Sequence, residues 1–212
     1  MADILDTTYE GKTVELKDNK ISVGDDVDLT SKDPSLRHIM IGMGWDANSF
    51  SSDPPDLDVS LFLLNKEDTT LKNEDFVFYN NEEACDEGIV HHGDSRTGAG
   101  EGDDENISID LQSIPYDIMR IAVVLTIYQG RERGQRLSSV RNAYLRIFNK
   151  ENHHEFLRYE LKGSMQDREE TGMIVGYIDR DGPKWHFRAL AEFYLDGLGE
   201  IATKYGIIVG QQ

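Results

Sequence analysis

The chain has 212 residues, 38% of them hydrophobic and 9% aromatic, and it carries 22 Lys and Arg against 40 Asp and Glu, a formal net charge of −18. This length and apolar content predict one domain with a full hydrophobic core. The charge argues against nucleic acid as a direct partner, because phosphate binding needs a basic face, and against docking on anionic lipid unless a bound cation reverses the local sign.

Alternating apolar and polar residues predict a succession of short strands. An early hairpin is expected, from residues 12–16 through Asp18-Asn19 to residues 21–23. In the next strand, Ile39, Ile41 and Met43 fall on one side of an extended chain. Further strands are predicted at residues 57–64, 75–79, 107–111, 119–128, 142–148, 155–161, 172–178 and 184–190. The run at 119–128 is apolar on both faces, which is typical of a central, doubly buried strand.

Turn signals between these strands favour an antiparallel arrangement. Asp181-Gly182 separates two predicted strands and is a strong hairpin signal, and residues 150–155 can turn the chain between two others. The spacing of about ten residues is typical of a mainly β protein, an antiparallel sandwich or barrel. We see no linker or repeat, so we expect residues 1–212 to form one domain, with residues 1–11 as a mobile N-terminus.

Two short helices are expected beside the strands. Ser113 can cap a helical turn with Pro115 near its start. The C-terminal segment is predicted to begin a helix at Asp196 and to end it at Gly206.

Acidic residues concentrate at the predicted strand ends and in the glycine-rich stretch 93–105. In a sandwich, loops from neighbouring strands gather at one end, where two like charges about 4 Å apart repel by roughly 4 kcal/mol at an effective dielectric near 20. Arg96 is the only Lys or Arg between residues 91 and 106, so a cation is expected to neutralise the cluster. Calcium suits it best, because it accepts about 6 to 8 carboxylate, amide and carbonyl oxygens in loose geometry. The candidate ligands are Asp46, Asp56, Asp58, Asn80, Asp94, Gly98, Gly102, Asp103, Asp104 and Glu105. The alternative is a solvated acidic rim without metal.

Other motifs give weaker signals. Residues 56–61 begin like an EF-hand loop but have Leu61 where the glycine belongs. His91 and His92 would point to opposite faces of a strand, so they are not expected to bind one ion together. No residue is predicted to be catalytic. Cys85 is the only cysteine, which leaves no internal disulfide, and the acids around it are expected to raise its pKa.

Several motifs follow one another along the chain: GMGWD at 42–46, DLDVSLFLL at 56–64, DFVFYNN at 75–81, GDSRTGAGEGDDE at 93–105, IDLQSIP at 109–115 and KWHF with a later YG between 184 and 206. In this order and spacing they resemble the TerD family of bacterial tellurium-resistance and general stress proteins. The resemblance extends from about residue 12 to 208. It departs from the family pattern at Ser95 and Arg96, and Arg96 adds a positive charge beside the expected metal.

The resemblance implies a calcium-binding β-sandwich in a cytoplasmic stress protein, with two ions held close together. By motif, the calcium-site positions of the family correspond to Asp46, Asp56, Asp58, Asp94, Asp103, Asp104 and Glu105. The absence of a signal-peptide core in residues 1–20 agrees with a cytoplasmic location.

Together these observations predict a calcium-binding stress-response module in which the metal orders a partner-binding surface. The expected partners are proteins, such as other stress or tellurium-resistance proteins, and any membrane association would be peripheral and made through them. Two alternatives remain open: a metal-dependent hydrolase that uses the same acidic cluster, and an acidic interaction module that works without metal.

Overall fold

Two β-sheets form the framework of the described chain. The computed structural model describes residues 13–16, 18–46, 53–93 and 102–208. Its strands are β1 Lys20–Ile21, β2 Asp26–Asp28, β3 His38–Asp46, β4 Leu57–Leu64, β5 Phe76–Val77, β6 Glu83–Ala84, β7 Ile89–His91, β8 Glu105–Asp110, β9 Arg120–Ile127, β10 Arg141–Asn149, β11 Glu155–Glu160, β12 Gly172–Asp181 and β13 Lys184–Tyr194. Its helices are α1 Leu29–Lys32, α2 Lys162–Met165 and α3 Leu198–Lys204, with 3₁₀ turns at Asn73–Asp75 and Leu137–Ser139.

The sheets form a sandwich, as predicted. One has seven strands in the order β1-β11-β10-β3-β8-β7-β6, and the other has six in the order β2-β13-β12-β9-β4-β5. Every pair of neighbouring strands is antiparallel except β1 and β11. The hairpin predicted at Asp181-Gly182 is confirmed, since β12 and β13 pair across it.

The predicted early hairpin is wrong. Lys20 and Ile21 pair in parallel with Arg158 and Tyr159 of β11, at the edge of the seven-stranded sheet. Thr13 instead bridges Asp26 in parallel. Tertiary contacts decide which strand a short polar strand pairs with, because neither of its faces carries enough apolar residues to specify a local partner.

The core lies between the sheets, and a second apolar cluster lies under α3. In β9, Val123 and Leu125 face the other sheet, whereas Ala122 and Val124 pack with α3 residues on the outer face. This explains why β9 is apolar on both faces, as its sequence indicated.

The helix predictions are only partly confirmed. The C-terminal helix exists but starts at Leu198, after Gly197, and no side chain caps it. The segment after Ser113 forms turns and no helix. There, the Arg180 guanidinium donates to the carbonyls of Ile114, Pro115 and Ile118, which replaces helical hydrogen bonding of these groups.

The carboxylate of Asp110 is held in its charged form at the end of β8. The Arg37 guanidinium donates to it at 2.8 Å, and the Gln112 amide and Ser113 hydroxyl each donate at 3.0 Å. The Arg37 hydrogen bond is the main reason that the pKa of Asp110 lies far below its ordinary value. Ser113 therefore supports this carboxylate and does not cap a helix.

Acid should weaken the fold partly through Asp110. A carboxyl whose pKa is depressed by folding stabilises the protein above its unfolded pKa of about 3.9, and this contribution is lost as the pH falls below that value. We expect urea denaturation between pH 5 and 2 to show about 1 kcal/mol less acid-induced loss for Asp110→Asn than for the unaltered chain, a figure kept small because Arg37 is half exposed. Asp117→Asn, an exposed charge-matched control, should behave like the unaltered chain. Equal acid sensitivity of the two variants would contradict this assignment.

Candidate metal centre

Three strand ends meet at one end of the sandwich: the end of β3, the start of β4 and the start of β8. The Trp45 amide donates to Oδ2 of Asp104 at 2.9 Å, and the Asp104 amide donates to the Met43 carbonyl at 2.6 Å. Asp104 immediately precedes β8 and extends the contact between β3 and β8 by one residue. These hydrogen bonds place Asp104 beside Trp45, the residue before Asp46.

Glu105 links the two sheets at this end. It shares the inward face of β8 with Ile107 and Ile109, and only 1% of it is exposed. Its Oε2 accepts the Val59 amide of β4 at 2.6 Å and lies 3.7 Å from Nε2 of His91. A carboxylate buried this deeply needs hydrogen bonds or a counter-charge, because desolvation of an isolated charge is costly.

Asp58 lies on the outer face of the six-stranded sheet. It alternates with Val59 and Leu61, which face the core, and it is 5% exposed. It lines a cavity of about 390 Å³ together with Tyr79 and Thr126. Burial raises the pKa of the Tyr79 hydroxyl, and Tyr128 and Asp58 add to the effect. Asp58 and Glu105 therefore approach the same end from two sides of β4.

Asp103 lies on a third surface, the outer face of the seven-stranded sheet. Arg146 of β10 donates to both carboxylate oxygens, from Nε at 2.8 and 3.0 Å and from Nη2 at 2.8 Å. A Cβ on Gly42 would overlap the Asp103 carboxylate, so the glycine makes room for this pair. Burial, with Asp103 beside it, raises the pKa of the Tyr144 hydroxyl to about 12. The sequence does not predict this ion pair, because no local pattern links Arg146 to Asp103.

The remaining predicted ligands are more dispersed. Asp46 is exposed and accepts a hydrogen bond from Asn142 at 2.6 Å. Asp56 is half-buried at the entry to β4, and Asn80 is exposed in the turn after β5. The Gly102 carbonyl accepts the Tyr144 hydroxyl at 3.0 Å. Asp94 and Gly98 lie outside the described residues.

The donor types at this end suit a hard divalent cation. Asp46, Asp58, Asp104 and Glu105 offer oxygen ligands, which calcium prefers, and two of these carboxylates are almost fully buried. Across residues 13–16, 18–46, 53–93 and 102–208, no three His, Cys, Asp or Glu side chains are grouped closely enough to hold a metal ion. A complete shell would therefore need ligands from outside these ranges, backbone carbonyls or water. The calcium assignment stays a prediction.

His91 and His92 lie on opposite faces of one sheet, and Cys85 is partly buried. His91 is buried beside Glu105, whereas His92 contacts the Ser108 hydroxyl at 2.7 Å on the opposite face of the sheet. Burial, with Asp75 as a smaller contribution, raises the pKa of the Cys85 thiol to about 11. A thiol of that pKa is protonated at neutral pH and is a poor nucleophile.

The sandwich and its acidic end can be compared with known proteins. The family model described as TerD domain matches residues 18–205. The chain belongs to the TerD domain family. It is 40% identical over 191 residues to General stress protein 16U of Bacillus subtilis (strain 168), covering 90% of this chain and 98% of that one. It is 37% identical over 187 residues to Tellurium resistance protein TerD of Serratia marcescens, covering 88% and 96%.

Solved structures agree on the fold of this TerD-family chain. A crystal structure of a homologue of telluride resistance protein (TerD) from Streptomyces coelicolor A3(2) superposes with a TM-score of 0.66 at 19% identity, covering 82% of this chain and 100% of that one. Among the described residues, no helix is both long and apolar enough to cross a membrane.

Proposed function

We propose that this TerD-family chain is a calcium-binding stress-response module of the tellurium-resistance type. The metal would be held by the acidic end of the sandwich, and its binding would order a surface for protein partners in the cytoplasm. The names of the relatives, a general stress protein and a tellurium resistance protein, support the biological setting. These names describe a biological role and do not identify a chemical reaction.

The observation that carries the metal proposal is the position of Glu105. Its carboxylate is buried at the junction of the two sheets, where it accepts the Val59 amide and lies close to Asp104 along the chain. Calcium would add positive charge at this acidic end, and the described carboxylates would contribute oxygen ligands. The acidic loop residues expected by family resemblance, such as Asp94, would add further oxygens.

Calcium titration of chelator-stripped protein tests the proposal. A ligand that binds only the folded state stabilises it by RT ln(1 + [L]/Kd), or roughly 2.7 kcal/mol at a hundredfold excess. For a chain of this size, that corresponds to a rise of roughly 5–10 °C in melting temperature by calorimetry. Magnesium at the same concentration should give a smaller rise, because it demands tighter geometry and releases its waters reluctantly. An unchanged melting temperature at millimolar calcium would remove the proposal.

A further inference from the structure

A groove of about 870 Å³ runs between α3 and the β5 edge of the six-stranded sheet. Its aromatic wall is a stack of rings: the centroids of Phe76 and Phe78 are 4.2 Å apart with nearly parallel planes. Tyr79 continues the row, edge-on to Phe78 at 5.2 Å. Stacked rings make a rigid apolar surface that loses little side-chain entropy when a ligand binds.

The opposite wall comes from α3 and the residues that follow it. Leu198, Ala202, Ile207 and Ile208 line it, and Ile208 is 92% exposed. The Thr70 amide and hydroxyl both donate to the Tyr205 carbonyl, at 3.0 and 2.9 Å, which holds the end of α3 against the loop that follows β4. Together with the partly buried Phe78 and Leu198, Ile208 gives the groove a continuous apolar lining for a partner to cover.

The rim of the groove is acidic. Glu74 and Glu132 are exposed on it, and no Lys or Arg is among the described residues that line it. The groove shares Tyr79 and Glu132 with the smaller cavity that holds Asp58. That cavity adds a second acid, Asp196, and one cation, Arg131, which pair with each other. The whole surface therefore keeps an excess of negative charge.

From this combination we infer that the groove binds a peptide segment of a partner protein in which Lys or Arg residues flank apolar side chains. Apolar side chains would pack on Phe78 and Ile208, and basic side chains would reach Glu74 and Glu132. A second copy of this chain is disfavoured as occupant, because two molecules of net charge −18 repel each other. Complementary charge would also speed the encounter with a basic partner. The inference rests on the partner-binding part of the proposed function and identifies the chemistry of the partner.

A labelled 12-residue peptide of alternating Leu and Lys is the probe, with fluorescence anisotropy as the readout. Matched peptides with Glu in place of Lys, or Ser in place of Leu, separate the charge and apolar contributions. We expect the Leu–Lys peptide to bind at least about tenfold more tightly than either one at low salt, with the advantage over the Glu peptide shrinking as salt is added. Equal binding of the Leu–Glu peptide would overturn the inference.

Two pairs of variants locate the binding site. Glu74→Lys with Glu132→Lys should weaken Leu–Lys binding roughly tenfold, because two attractive contacts become repulsive. The control is Glu15→Lys with Asp18→Lys, which makes the same change of charge in the N-terminal segment. This segment lies near the β2 edge of the sheet, opposite the groove, so the control should retain most of the peptide affinity. Ile208→Ser should also weaken binding, whereas Val23→Ser, which removes another exposed apolar side chain, should not. Equal effects of a groove variant and its control would overturn the assignment.

The same samples distinguish this inference from the proposed function. Peptide binding and melting temperature are both measured with calcium and with EDTA. A calcium-dependent rise in melting temperature without peptide binding would refute the groove as a peptide site and support the metal proposal. Peptide binding without a calcium-dependent rise would support the groove and refute the metal proposal. Sedimentation that reveals a dimer abolished by Ile208→Ser would assign the groove to a second copy and overturn the partner peptide.

Discussion

Replacing Glu105 by Gln is expected to abolish most of the calcium-dependent rise in melting temperature. Gln keeps the size of the side chain and an oxygen that can accept the Val59 amide, so the variant loses charge and little else. Losing one of the few charged ligands of a calcium site weakens affinity strongly, because affinity follows the number of charged ligands. The expected loss is about 2 kcal/mol or more of metal-linked stabilisation at a fixed calcium concentration.

Asp103→Asn is the comparison variant for this experiment, because Asp103 is also a predicted ligand but lies on a different face from Glu105. Its carboxylate is already paired with Arg146 on the outer face of the seven-stranded sheet, away from the face that carries Glu105. We expect this variant to lose some stability in EDTA but to keep most of the calcium response. A full response in Glu105→Gln combined with a lost response in Asp103→Asn would place the metal on the outer face and refute the role given to Glu105.

Removing the carboxylate of Asp26 should cost about 3 kcal/mol of unfolding free energy. Asp26 is fully buried in β2, and its Oδ1 lies 3.0 Å from Nδ1 of His186, which is itself 3% exposed. Asp26→Ala would leave the imidazole without this buried partner and would create a cavity beside it. The Val14 amide donates to the Asp26 carbonyl at 2.6 Å. A less stable β2 should therefore hold residues 13–16 less firmly as well.

Urea denaturation at pH 7 measures this loss directly. Asp25→Ala is the control, since the neighbouring carboxylate is half-buried and accepts the exposed Ser22 amide at 2.8 Å. It should cost less than about 1 kcal/mol. A comparably small cost for Asp26→Ala would show that the buried pair with His186 contributes little to holding β2 on β13.

The surroundings of His186 show how tertiary structure assembles charge from distant segments. Asp28 and Asp181 lie 3.9 and 3.8 Å from its Nε2, and Lys184 donates to Asp28 at 3.0 Å. The same Asp28 accepts the Ser31 amide at 2.8 Å and caps α1. No spacing rule in the sequence connects residue 26 with residue 186, so this cluster was not predicted.

The sequence by itself determined the strand-rich class, the position of most strands, the hairpin at Asp181-Gly182 and the family. Local alternation specifies which residues of β3 and β4 face the core between the two sheets, because the side-chain period of a strand is two wherever the strand pairs. The motifs that resemble the TerD family are likewise local, and the family match is confirmed.

Only the tertiary structure decided which face each acidic residue of the candidate site occupies and which cation it meets. Asp103 and Glu105 are two residues apart, so alternation alone would place them on one face, but Asp103 precedes β8 and lies on the outer face whereas Glu105 lies on the inner face. The order of strands then brings Arg146 to Asp103 and Val59 to Glu105. The parallel pairing of β1 with β11 was decided in the same way. Charge pairing acts through space over a few ångströms, so it depends on which distant strands become neighbours, and sequence spacing does not encode that.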